Sequence, residues 1–325
     1  MVNVLANDLD GRRKPVLGMF ARRLGYFRWL NRAPRPVRVA IAALLGAALA
    51  AGCGSSSGSS SGSGGSGPVN VLYAGSMVGL MKDSVGPAFQ KATGHTFTGF
   101  TAGDKDVASQ IKAGVHAGDI FMSAAPAVNN TLIGPANDNL ISWYATYATS
   151  PVVIGYKPSS KFAADLKSKP WYTVITEPGF RIGFSDPKTD PKGEKSVQAM
   201  NHAAAVHNLP ALKKLATDTS SMFPEETLVG RVQSGQLDAA YFYASEAAVA
   251  KIPTVPLTGE NLGATYTVAV LNKGPHQAAA RAFVSYLLGP DGLRLLKQDN
   301  FQVITPPKIA GANIPADLKG VLGQQ

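Results

Sequence analysis

"VNVLYAGSMVGLMKD" occupies residues 69–83, and its reading decides the architecture of the chain. Its first five residues are apolar but for Asn70 and partly β-branched, the signature of a buried strand. The run stops at Ala74-Gly75-Ser76. Apolar residues then recur at Met77, Leu80, Met81, Val85, Ala88 and Phe89, the spacing of one helix face. The stretch therefore predicts a strand, a turn of small residues and a helix over 78–92, with Ser76 in the capping position. Two explanations fit the small residues. One is a tight strand-to-helix turn with a helix cap. The other is a cradle for an anion, in which bare backbone N–H groups and a hydroxyl face a ligand.

Downstream, strands and helices keep alternating. Strands are expected over 96–100, 120–123, 151–157, 181–185, 238–244 and 265–272. Helices are expected over 106–113, near 194–207, and over 225–235 and 276–288, the last strongly amphipathic. The stretch between 123 and 151 reads as irregular, and no internal repeat is visible. This order implies an α/β fold with parallel strands. In such sheets ligands sit at the carboxyl ends of strands, where helices begin. The Ala74-Gly75-Ser76 turn is at such a place.

Upstream, residues 1–38 carry nine of the 31 Lys/Arg and two of the 21 Asp/Glu. "VAIAALLGAALAA" (39–51) follows. It is too short for a permanent membrane span and suits a signal-peptide core. "LAAGC" then resembles a bacterial lipobox, whose cysteine is diacylated and becomes the first residue. The leucine preferred three places before that cysteine is Ala50 here, with Leu49 one further back. Arg22-Arg23 offers a twin-arginine pair with poorly matching flanks, and the basic region is long enough to make Met19 an alternative start. Cys53 is the only cysteine, so there is no disulfide framework and no Cys-based metal site. "GSSSGSSSGSGGSG" after it is a flexible tether. The expectation is a signal peptide with lipobox over 1–52 and a tether over 53–68. The body would be extracytoplasmic and held to the cell membrane by lipid on Cys53.

The formal net charge of +10 belongs largely to that leader. Beyond it, 22 Lys/Arg face 19 Asp/Glu, a small excess. No basic stripe with interleaved aromatics is present, so a nucleic-acid partner is not expected. The body of about 258 residues suits one large domain or two lobes.

Five pieces of the body carry a resemblance: "AGS" after the first strand, "VASQIKAGVHAGDIFMSA" (107–124), "GFSDPKTDPKG" (183–193), "SGQLDAAYFYASEA" (234–247) and "YLLGPDGLRLLKQDNF" (286–301). With these the chain resembles the substrate-binding proteins of molybdate/tungstate ABC importers, in the type II periplasmic-binding-protein superfamily. The resemblance implies an α/β fold of two lobes, with mixed, mostly parallel sheets joined by two crossing hinge strands. Residues 69–151 and 267–325 would form lobe 1, and residues 152–266 lobe 2. The crossings would be 151–156 and 265–270. It also implies a monomer that binds molybdate or tungstate between the lobes and serves an ABC permease and ATPase. It implies no enzymatic activity, no catalytic residue, no cofactor and no resident metal.

In that family serine hydroxyls, backbone N–H groups at helix starts and one tyrosine hydroxyl hold the oxyanion. A dianion that offers only acceptors suits a cage of donors, and helix N-termini add partial positive charge. Carried over, Gly75 and Ser76 form the first turn, Lys192 and Glu225 give backbone N–H groups, and Tyr243 gives its hydroxyl. The family's second serine falls on Gly103 or Asp104. A carboxylate there would repel an oxyanion, so either Gly103 gives only its N–H while Asp104 points away, or the ligand differs. The tungstate branch adds two carboxylates that bind the metal directly. Asp190 matches one, but the other falls near Phe242, so that six-ligand arrangement is not expected.

Other chemistry is thin. His95, His116, His202, His207 and His276 show no zinc spacing, and no hydrolase elbow, phosphate loop or metalloprotease motif occurs. Asp186 and Asp190 flank prolines and read as turn formers. The rival readings are another inorganic anion, or a ferric ion. For iron, Tyr241 and Tyr243 alternate on a strand toward one face, and Asp104 and Asp190 would add hard oxygen ligands.

Overall fold

The computed structural model describes residues 67–324; the expected signal peptide, Cys53 and nearly all of the tether lie outside them. The chain enters as β1 (Pro68–Ala74), whose residues from Val71 onward are all buried. The expected single helix after it is three pieces. A 3-10 turn covers Gly75–Met77, a π-helical stretch covers Leu80–Val85, and α1 covers Gly86–Thr93. Gly86 and Pro87 explain the break. The Gly86 N–H donates to Met81 O, five residues back, and a Cβ on Gly86 would lie 2.4 Å from that oxygen. Pro87 has no N–H to continue the ladder.

β2 (Thr96–Ala102), α2 (Asp104–Ala113), β3 (Ile120–Ser123) and α3 (Pro126–Asn129) follow. Then come β4 (Trp143–Tyr156), α4 (Ala163–Ser168), α5 (Trp171–Val174), β5 (Ile182–Ser185) and α6 (Pro191–Val206). α7 (Pro210–Ala216), β6 (Met222–Phe223), α8 (Leu228–Ser234), β7 (Ala239–Tyr243), α9 (Ala244–Val249) and β8 (Thr254–Pro256) come next. β9 (Gly263–Val270), α10 (Gln277–Leu288), α11 (Pro290–Gln298) and β10 (Gln302–Gly311) complete the chain.

The strands line up in the order β2-β1-β3-β9-β4-β7-β5-β6, with β8 and β10 also pairing β4. Pairing is parallel at β1–β2, β1–β3, β5–β7 and β5–β6. It is antiparallel wherever β4 or β9 takes part. This is the two-lobed type II periplasmic-binding fold, mixed α/β with a curled sheet. β4 belongs to both lobes. Up to Pro151 it pairs with β9 and β10, and from Val152 onward with β7 and β8. Pro151 cannot donate to a ladder, so it stands where partners change. Opposite it is Gly263, whose absent side chain leaves room for Ser150 O, 2.7 Å from where a Cβ would be.

One apolar core runs through both lobes, from Val69 and Phe89 to Leu166 and Tyr241, with a smaller cluster in each lobe. In that core Phe89 meets Phe283 edge-on at 5.3 Å and Tyr286 at 5.7 Å. In the second lobe's cluster Val153, Leu228, Val232 and Phe242 pack together. Each such side chain contributes roughly 1.5–3 kcal/mol. No helix among the described residues is long and apolar enough to cross a membrane.

Candidate functional site

Two turns of the first lobe meet the second lobe. Gly75 and Ser76 follow β1, and a Cβ on Gly75 would lie 2.8 Å from Glu225 Oε2 and 3.0 Å from Glu226 N. Of the small residues in the opening stretch, Gly75 is thus required by the approaching Glu225–Glu226 backbone and side chain. Ser76 does not cap a helix. It sits inside the 3-10 turn, buried, with a hydroxyl that has no partner. Gly103 follows β2, and a Cβ there would lie 2.7 Å from Thr189 O. The N–H of Lys105 donates to that same carbonyl at 3.0 Å.

Asp104 opens α2 and is fully buried. Its Oδ2 accepts from Ser123 Oγ at 2.8 Å and from Ala124 N at 2.7 Å, while Oδ1 is buried without a partner. Burial, and then the Asp190 carboxylate, push its carboxyl up to about 7. Asp190 sits at the start of α6. Ser185 Oγ donates to its Oδ2, and its Oδ1 has no partner. Burial holds Asp190 above the ordinary carboxylate range, against the Lys192 ammonium, the Ser185 hydroxyl and the N–H groups of Lys192 and Gly193.

Lys192 and Glu225 bring more than backbone. Lys192 is fully buried, with Nζ 2.7 Å from Glu246 Oε2 and 3.2 Å from Glu225 Oε1. Burial pulls the ammonium down, but Glu225, Glu246 and Asp190 outweigh it and keep it charged. The Glu225–Lys192 contact lacks hydrogen-bond geometry, so both Glu225 oxygens remain unpaired. Burial first, and the neighbouring Asp190 second, lift Glu225 well above the usual carboxyl range. Glu246 reaches back from α9 to accept from Tyr243 N at 3.3 Å.

Tyr243 ends β7, fully buried with a free hydroxyl. Burial, and then Asp190 and Glu225, raise it well above its ordinary value, so it is a neutral phenol and a donor. Tyr241 goes elsewhere. Its ring packs against Trp171 at 6.2 Å and Phe184 at 6.4 Å, and the carboxylate that acts on it is Glu260. The expected tyrosine pair is thus divided between cleft and core. Nor do three His, Cys, Asp or Glu among the described residues stand where they could hold a metal ion.

The structure therefore gathers Gly75, Ser76, Gly103, Asp104, Lys192, Glu225 and Tyr243, and adds Asp190 and Glu246. Three buried carboxyl groups, Asp190, Glu225 and Glu246, share the fully buried Lys192 ammonium, and Asp104 adds a fourth carboxyl beside Asp190. That imbalance favours protonated carboxyls, which donate hydrogen bonds instead of repelling an anion. Glu225 stands as a carboxyl near enough to Asp190 for the two charges to act on each other. Helix starts in sequence point to N–H groups, not to where a side chain turns. The Glu246 signal was its place three residues after Tyr243 at a helix start.

The profile of the family described as bacterial extracellular solute-binding protein matches residues 69–302. Two archaeal relatives are molybdate/tungstate-binding proteins WtpA. That of Pyrococcus abyssi is 27% identical over 236 residues, covering 57% of this chain and 68% of its own. That of Thermococcus kodakarensis is 27% identical, covering 57% of this chain and 66% of its own. The chain thus spans about two thirds of their length. Among solved structures, the Azotobacter vinelandii periplasmic molybdate-binding protein superimposes with a TM-score of 0.58 at 21% identity, over 73% of this chain and 100% of that one. With that match over most of the body, and with a fold that closes two lobes around buried polar groups, the chain belongs to the bacterial extracellular solute-binding protein family.

Proposed function

We propose that this protein is the binding component of an ABC importer and holds a tetrahedral oxyanion, molybdate or tungstate, between its lobes. One observation carries the reading. Ser76 Oγ and Tyr243 OH come from different lobes, both are sealed from water, and neither has a partner. Leaving buried donors unpaired costs about 1–3 kcal/mol each, so their place is explained by an acceptor that arrives with the ligand. The N–H groups at the starts of α2 and α6 add partial positive charge. The names of the relatives favour molybdate and tungstate within that class. The lobes would be 69–151 with 267–325, and 152–266, in a monomer.

A second reading concerns how the anion is held. Asp190 and Glu225 each keep at least one unpaired oxygen in the same cluster, as a carboxylate pair would that binds the metal centre of the oxyanion directly. X-ray absorption of the bound complex separates four-coordinate from six-coordinate metal. The class itself is tested by calorimetry with molybdate, tungstate, sulfate, phosphate and ferric citrate. Tight binding of molybdate or tungstate is the expected outcome. A coloured iron complex lost on Tyr243→Phe, with no heat from molybdate, overturns it.

The body would be anchored outside the cell by lipid on Cys53 and work with a permease and an ATPase. Cys53→Ala is expected to move the protein from the membrane fraction to the soluble one. Unchanged fractionation rejects the anchor.

A further inference from the structure

Two grooves are lined in part by residues of the buried cluster and a third lies between α2 and the start of α6, and their charges differ. One, of about 380 Å3, is lined by Asp106, Asp186, Glu225 and Glu226 and by no lysine or arginine. Another, of about 410 Å3, is lined by Asp83, Glu226 and Glu246, again without a cation. The third is the largest, about 560 Å3, and carries Lys105, Lys112, Lys188 and Lys195 against the single carboxylate of Glu194. Lys105 and Lys112 stand on α2. Lys188 precedes α6 and Lys195 lies on it. Cations therefore line both walls.

Glu194 is already matched by Lys105 at 2.5 Å, and Lys112 and Lys188 make no ion pair among the described residues. Lys195 faces two ways. It lines the groove, and its charge acts on Asp104 and Asp190 inside the buried cluster. Resting on the oxyanion reading, we infer that this lysine groove is a second, weaker oxyanion site through which the anion loads into the buried one. A water occupies about 30 Å3, so the groove has room for the anion and part of its shell. Lysines are compact point charges without a bidentate grip, which suits a hold that must also release. Carboxylates at the other two grooves turn anions away. Charges of one sign focused in a cleft raise the association rate and make it salt-dependent.

The test is stopped-flow mixing of the mature chain with molybdate, following tryptophan fluorescence at several ionic strengths. Lys112→Gln/Lys188→Gln is expected to lower kon about three- to tenfold and flatten its salt dependence, with koff within about twofold of wild type. Asp83→Asn and Asp106→Asn, in the other grooves, are expected to leave kon equal or higher. If the double variant loads at the wild-type rate while wild type binds molybdate, the groove assignment fails and the oxyanion reading stands. If wild type shows no heat with any oxyanion, both fall.

Discussion

A hydroxyl sealed away from water with nothing to bond is a liability until a ligand arrives, and Ser76 is in that position. Ser76→Ala is expected to leave the melting temperature of the empty protein equal or slightly higher. It should weaken oxyanion binding about 10- to 150-fold, the value of one hydrogen bond to a charged group. Calorimetry and thermal unfolding on the same variant check both halves. Asp104 gives the opposite pattern. Its folded carboxyl titrates at about 7, above the ordinary value of 3.8. A raised carboxyl contributes stability that is complete below about pH 4 and is lost as pH climbs to 7. The loss is on the order of 4 kcal/mol. Asp104→Asn keeps an acceptor for Ala124 N, so it is expected to melt several degrees higher than wild type at pH 8 and about level at pH 4. Equal melting at pH 8 rejects the buried-carboxyl account. Tyr243 was singled out by the family resemblance, but the strand it ends and the small-residue turn that carries Ser76 were legible in the sequence. The side chains of Lys192 and Glu225 were not. Their ion network reaches Glu246, which is 54 residues from Lys192, and no local pattern encodes it.

At the scale of elements, β1 and β2 are each followed directly by a glycine, Gly75 and Gly103, where the other lobe presses close. For Gly103 the obstacle is backbone: Thr189 O stands 2.7 Å from where a side-chain carbon would sit, and it cannot swing aside. Gly103→Ala is therefore expected to hinder lobe closure. Overpacking costs roughly 1–3 kcal/mol, or about 5- to 150-fold in affinity. Small-angle scattering with saturating ligand should give a larger radius of gyration than wild type, and an equal radius would reject the contact. Strands such as β3 were legible to the residue, since the apolar run Ile120–Met122 is bounded by the polar Asp119 and Ser123. β4 was legible only in its second half. Residues 143–150 are buried on almost every position, so no alternation marks them as strand. β10 was missed because Pro306 and Pro307 interrupt it. They fall in a register break between Val303 and Lys308, and the strand pairs only at its ends.

For the whole molecule, the buried cluster couples ligand to protons. Asp104 is half ionised near pH 7 without ligand, and a dianion beside it favours the protonated form. Binding should take up protons, so affinity falls as pH rises past 7, by at most about tenfold per pH unit for each proton. Titrations in two buffers of different ionisation enthalpy count the protons, and identical heats would reject the coupling. The alternation of strands and helices made the α/β class legible, but the sharing of β4 between lobes depends on pairings across the chain. Those pairings also set an order in time. Ser123 O accepts from Thr267 Oγ1, 144 positions away, because β3 is flanked by β9. A ribosome or an export channel delivers β1 to β3 early and β9 last but one among the strands. Until then one edge of β3 is open, and open edges recruit other chains. A strand made early is thus left open until nearly the end, so the nascent chain depends on being shielded while its closing strand is still unmade.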